Sequence, residues 1–164
     1  MRAFVLLLPL ALAACGLQPL YSGGSSGPVG ASLGEVEVAP IEGKSGWLVA
    51  NALRDRLGAV EQRTPRYRLD IKLDDNIIGL AVRRDDSVAR ERRTLRARYQ
   101  LVELGKGTVV LDATAGSDAG IDVVGSEYAT IAGEASALER LSEILADKIV
   151  ARVAIYARRN QATP

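Results

Sequence analysis

The side chains with most chemistry to offer lie between Arg83 and Arg98. Seven arginines (Arg83, Arg84, Arg90, Arg92, Arg93, Arg96 and Arg98) stand there against Asp85, Asp86 and Glu91, a local balance of +4. A guanidinium is planar, always charged and forked, so it matches the oxygens of phosphate and carboxylate two at a time. On a strand, Arg96 and Arg98 project from one side of the sheet, the solvent side. Arg90, Arg92, Arg96 and Arg98 are the candidates for holding an anionic ligand. The alternative is a solvated face and loop whose arginines pair with acids of neighbouring strands. Residues 118–147 carry seven acids, Asp118, Asp122, Glu127, Glu134, Glu139, Glu143 and Asp147, against Arg140 alone, so near-neutrality overall conceals a charge separation.

Groups suited to catalysis are scarce. The chain has no histidine, which removes the commonest general base, the usual metal ligand and every Ser-His or Cys-His nucleophile. Asp74 with Asp75, and Asp85 with Asp86, are adjacent acids, whereas a glycosidase pair needs two carboxyls converging across a cleft. Asp85-Asp86-Ser87 lacks the alternating ligand spacing of a calcium loop. Neither a glycine-rich phosphate loop nor zinc-ligand spacing is present. The expectation is a binding protein that is not an enzyme, with no metal and no cofactor.

Hydrophobic period gives the elements that must position these residues. Glu35 to Val38 alternates as a strand and is stopped by Pro40. Ser45 can cap a helix running to about Val60, with Val49, Leu53, Leu57 and Val60 at helical spacing. In Tyr67 to Leu73, Tyr67, Leu69, Ile71 and Leu73 alternate with Arg68, Asp70 and Lys72, the pattern of a strand with one dry face. Leu95, Ala97, Tyr99 and Leu101 alternate with Thr94, Arg96, Arg98 and Gln100. Gly105-Lys106-Gly107 then makes a tight turn into Val109, Leu111, Ala113 and Ala115, so Thr94 to Ser117 reads as a hairpin, with 83–93 as a loop before it. Leu138, Leu141, Leu145, Ile149, Val153 and Tyr156 mark one stripe of a long helix, which Ile144, Val150 and Ile155 widen. The expected fold is α+β, two helices on one face of a roughly four-stranded, mainly antiparallel sheet.

The N-terminus says where such a domain works. Met1-Arg2 is a short positive start, Ala3 to Ala11 an apolar run, and Leu12-Ala13-Ala14-Cys15 a small-residue cleavage site. The apolar run is too short to cross about 30 Å of hydrocarbon as a helix. The site resembles the lipobox of bacterial lipoproteins, in which the cysteine after the cut is acylated. Residues 1–14 are thus expected to be a cleaved signal peptide and Cys15, the sole cysteine, the lipid attachment point. Two or more acyl chains give a stable anchor where one does not. In that class an aspartate after the cysteine retains the protein at the inner membrane, so Gly16 implies the outer membrane, facing the periplasm. Ser22 to Ser32 reads SGGSSGPVGAS and buries nothing, so 15–32 is expected to be a lipidated, flexible tether and 33–160 one domain. Without Arg2, 20 basic residues face 20 acidic ones, and no overall field recruits nucleic acid.

In this order the residues resemble a known family. Cys15-Gly16-Leu17-Gln18-Pro19-Leu20-Tyr21 is similar to the start of the lipopolysaccharide-assembly lipoproteins of the LptE family. Gly46 to Leu57 (GWLVANALRDRL) is similar to that family's first helix, Tyr67-Arg68-Leu69 to its second strand, and Ser126 to Thr130 leading into Glu139-Arg140-Leu141 to its last helix. The resemblance implies two helices on a four-stranded sheet. It also implies a role as a plug in the lumen of the β-barrel LptD, supporting the barrel's assembly and binding lipopolysaccharide in transit, with basic residues on the sheet side touching the ligand. Lipid A phosphates would then be the anions held by Arg90, Arg92, Arg96 and Arg98. A polar barrel lumen suits a plug with a charged outside over its own core. Two other roles are compatible with a lipid anchor and a small α+β domain: an auxiliary lipoprotein of another envelope lipid-transport system of the ABC type, and an envelope hydrolase, which the missing histidine disfavours.

Overall fold

The structure is a computed structural model and describes residues 27–58, 63–82, 88–123 and 125–161. The expected signal peptide, Cys15, the motif through Tyr21, the expected tether up to Ser26, the expected helix end at Val60, Arg83, Arg84 and Asp85-Asp86-Ser87 lie outside the described residues.

The elements follow in the order α1 (Pro28–Leu33), β1 (Val36–Val38), α2 (Gly43–Gly58), β2 (Tyr67–Val82), β3 (Val88–Glu103), β4 (Thr108–Asp122) and α3 (Glu127–Gln161). The strands make one sheet in sequence order, β1 parallel to β2 and the other neighbours antiparallel. The register sets Leu69 opposite Leu101, Ile71 opposite Tyr99 and Leu73 opposite Ala97; beyond β3, Tyr99 faces Ala113 and Ala97 faces Ala115. These side chains share one face because strand side chains alternate. Leu138, Leu141, Leu145, Ile149 and Val153 of α3 bury themselves on that face together with Val49, Leu53 and Leu57 of α2. Ser142, buried among them, satisfies its hydroxyl by donating to the Leu138 carbonyl at 2.8 Å. The fold is α+β, with every described helix on one side of the sheet.

Several boundaries differ from the sequence reading. The tether expected through Ser32 ends sooner, since Pro28–Leu33 is helical with proline in its first turn. Val29 and Leu33 stand one turn apart and are buried against α3, so burial overrides a glycine- and serine-rich composition. Ser45 lies inside the first turn of α2 instead of capping it, because Gly43, at φ 80°, already starts the helix. The stretch read as a loop over 83–93 is partly strand: β2 and β3 are each 16 residues long, so Arg90, Arg92 and Arg93 belong to β3. The turn at Gly105-Lys106-Gly107 is where its glycines put it, with Gly107 at φ 65° and its amide donating to the Glu103 carbonyl at 2.8 Å. Ile144 does not reach the core and stays 42% exposed on the flank of α3.

Two ion pairs fasten the helices. Arg93 grips Asp75 with both fork nitrogens, at 2.7 and 2.8 Å, and donates to the Glu134 carbonyl of α3 at 3.1 Å. Its side chain is 13% exposed and that of Asp75 20%, so neither charge is well solvated without the other. Arg56 of α2 grips Asp147 of α3, with Nη2 donating at 3.1 Å, and this hydrogen bond holds the Asp147 carboxyl below its ordinary range. Replacing Arg93 with alanine strands a half-buried carboxylate and should cost about 2 kcal/mol, below the 3–5 kcal/mol of a fully buried pair; chemical denaturation measures it. Arg56→Ala should cost only about 0.5 kcal/mol at pH 7, since Asp147 is mostly exposed. A carboxylate with a depressed folded-state value stabilises above its unfolded value, so this second difference should shrink as pH falls from about 4 and be lost as pH passes through the depressed folded value. A cost that is unchanged at pH 3 would contradict the assignment.

Candidate functional site

The opposite face of the sheet is uncovered by any described helix. Strand alternation sends Arg90, Arg92, Thr94, Arg96, Arg98 and Gln100 of β3 to that side and Arg93, Leu95, Ala97 and Tyr99 to the core. All four arginines nominated from local charge are therefore brought onto one open face, in a row roughly 27 Å long at about 3.4 Å per residue. Arg93, counted in the same cluster, is turned inward and acts structurally.

Neighbouring strands decide how free each arginine is. Arg90 pairs with Asp122 of β4 at 3.2 Å. Arg98 pairs with Asp112 at 3.0 Å, and Gln100 donates to the same carboxylate at 2.8 Å. Hydrogen bonds from Arg98 and then from Gln100 hold the Asp112 carboxyl below its ordinary range, and Asp112 in turn raises Arg98. Thus the alternative reading of a self-paired face applies to Arg90 and Arg98. Arg92 lies in register between Ile78 and Gly120, and Arg96 between Asp74 and Gly116; neither makes an ion pair or a side-chain hydrogen bond among the described residues. Gly116 leaves room for the Arg96 stem, since a Cβ there would come within 3.1 Å of its Cγ.

Around Arg96 the face dips into a shallow trough of about 630 Å³ bordered by Lys72, Asp74, Thr94, Arg98 and Asp118. Lys72 is not among the sequence candidates. It sits directly opposite Arg98 across β2 and β3, and no local charge count could find it because its neighbours are acidic and the pairing joins positions 26 residues apart. The trough can present two or three cations to one anionic group while two aspartates on its rim exclude a purely electrostatic fit. Asp74 and Asp75 point to opposite faces, Asp74 beside the trough and Asp75 to Arg93, so these adjacent acids do not converge. Among the described residues no cluster of three or more acids, histidines or cysteines could hold a metal, and no helix is long and apolar enough to cross a membrane.

Comparison with solved structures finds this architecture elsewhere. A Caulobacter crescentus protein described as a lipoprotein superposes with a TM-score of 0.68 at 22% identity, over 82% of this chain and 98% of that one. Rare lipoprotein B of Shewanella oneidensis superposes with a TM-score of 0.56 at 14% identity, over 77% and 97% of the two chains. A minor lipoprotein of Acinetobacter baumannii gives a TM-score of 0.58 at 14% identity, over 73% and 88%. At such identities the likeness speaks for the fold. Among curated proteins none matches the chain. The family model described as LptE, lipopolysaccharide-assembly, matches residues 33–153, which takes in every strand, α2 and most of α3. The chain belongs to the LptE family of lipopolysaccharide-assembly proteins.

Proposed function

We propose that this chain is an outer-membrane lipoprotein, anchored through Cys15 after removal of residues 1–14, that plugs the lumen of an LptD-type β-barrel. It supports assembly of that barrel and the passage of lipopolysaccharide, whose lipid A phosphates it holds on the open face of the sheet. Family membership supports the role in lipopolysaccharide assembly. The observation that carries the ligand reading is the row of Arg90, Arg92, Arg96 and Arg98 on a face that no described helix covers, with Arg92 and Arg96 unpaired among the described residues. The chemistry is binding: guanidinium forks meet phosphate oxygens, and no bond in the lipid needs to be made or broken. A polar outer face over a separate core is also what a barrel lumen requires of a plug. Acyl chains on Cys15 would keep the domain at the membrane where both partners reside.

Two measurements test this. Mild-detergent extraction of the acylated protein from outer membranes should recover a large β-barrel in stoichiometric amount; recovery of inner-membrane transporter subunits instead would favour an auxiliary role in an ABC-type lipid-transport machine. In the second, Arg92→Glu with Arg96→Glu should weaken lipid A binding about tenfold or more, taking about 1 kcal/mol for each exposed charge contact. The residual binding should depend less on salt. Arg98→Glu alone should do less, because Asp112 already engages that guanidinium. Equal binding by the double variant and the parent would sink the site assignment.

A further inference from the structure

β4 is the last strand of the sheet, and its outer edge runs for 15 residues, Thr108 to Asp122, without a pairing strand among the described residues. Natural edge strands of this length are guarded by lysine, proline, brevity or a covering element, because their free N–H and C=O groups template pairing with another chain. β4 contains no proline, lysine or arginine. The opposite edge is occupied at its start by β1, followed by Pro40, and irregular between Gly79 and Val82, whereas the one irregularity of β4 lies near its start, between Val109 and Leu111.

Register fixes which groups of β4 are free. The Ala39 amide donates to the Leu69 carbonyl, so Leu69 directs its backbone groups toward β1 and away from β3. Alternation then turns Leu101, Tyr99 and Ala97 toward β4, paired with Leu111, Ala113 and Ala115. Thr114, Gly116 and Asp118 therefore aim their N–H and C=O groups outward. In agreement, Lys148 of α3 reaches round the edge and donates from Nζ to the Gly116 carbonyl at 2.6 Å, a side-chain partner for one group of the row.

The two faces beside this edge differ in chemistry. On the open side Asp118 makes no ion pair among the described residues, while Asp112 and Asp122 of the same strand already hold Arg98 and Arg90. On the helix side stand Ala113, Ala115 and Ala119, partly buried, and Ile144, one turn before Lys148 on the same flank of α3 and 42% exposed. An added strand would set alternate residues against the Asp118 carboxylate and against this apolar shelf. We infer that the edge of β4 is a docking site for an extended partner segment that alternates basic and apolar side chains, paired through main-chain hydrogen bonds to Thr114, Gly116 and Asp118. A second copy of this chain is the competing occupant, and dependence on protein concentration tells it apart. The inference stands on the sheet edge and does not depend on the lipopolysaccharide reading.

The test uses the full acylated chain in detergent and two nine-residue peptides, one alternating lysine with valine and one alternating glutamate with valine. Hydrogen exchange at the amides of Thr114, Gly116 and Asp118 should slow about tenfold or more with the lysine peptide and stay unchanged with the glutamate peptide. Thr114→Pro, which removes an outward N–H and no bond to β3, should abolish the protection. Asp118→Lys serves as the second variant if the proline disturbs folding, and should weaken binding of the lysine peptide while leaving the exchange of the core strands unchanged. No protection by either peptide, or equal protection by both, overturns the proposal. Protection that grows with protein concentration in the absence of peptide overturns it in favour of a dimer.

Discussion

The molecule hangs on the contact between α3 and the inner face of the sheet. Leu138, Leu141, Leu145, Ile149 and Val153 occupy one stripe of a 35-residue helix and are buried on Leu69, Leu95, Tyr99 and Leu101. α2 and α1 complete that layer by packing on α3, and even the short α1 survives as a helix only because Val29 and Leu33 find the same apolar surface. Burial on one side only leaves the other side of the sheet to water, and everything of functional interest follows from that asymmetry.

A one-sided sheet imposes a period of two on its charges. From Arg90 to Gln100, β3 turns its odd positions to the core side and spends its even ones on arginine, threonine and glutamine, so a cluster that is merely basic in sequence becomes an ordered row in space. The adjoining strands then edit the row. Asp112 and Asp122 neutralise its two ends, and Arg92 and Arg96 keep their hydrogen-bonding capacity near the middle. Under the proposed role this has a physical advantage. The unpaired guanidinia give up no internal partner on meeting a phosphate, and the cost that remains is the ordering of their side chains.

Membership of the LptE family and the likeness to bacterial lipoproteins give this geometry its setting. Within the setting, the same sheet offers an arginine-bearing face and a free edge. As proposed binding surfaces they would act by different physics, screened charge in one case and main-chain pairing in the other. The two meet at Asp118, which borders both the trough and the edge.

What the sequence determined by itself is whatever depends on period and composition. The strict alternation of Tyr67 to Leu73 and of Thr94 to Leu101, the stripe from Leu138 to Val153 and the glycines at 105 and 107 are enough to state an α+β fold with one wet sheet face, and to send Arg96 and Arg98 to it. The absence of histidine by itself removes the commonest catalytic machinery, whatever the fold. The tertiary structure alone decided which charge meets which. Arg93 reaches Asp75 and Arg98 reaches Asp112 because the hairpin registers bring together positions 18 and 14 apart, and nothing local distinguishes Arg93 from Arg92 except the face it points to. Lys72 escapes a reading of the sequence for the same reason, as do the helical state of Pro28–Leu33 and the exposure of Ile144, each set by a surface contributed from elsewhere in the chain. Periodicity is written in neighbouring residues, whereas pairing is written in register, and register exists only once the strands have found one another.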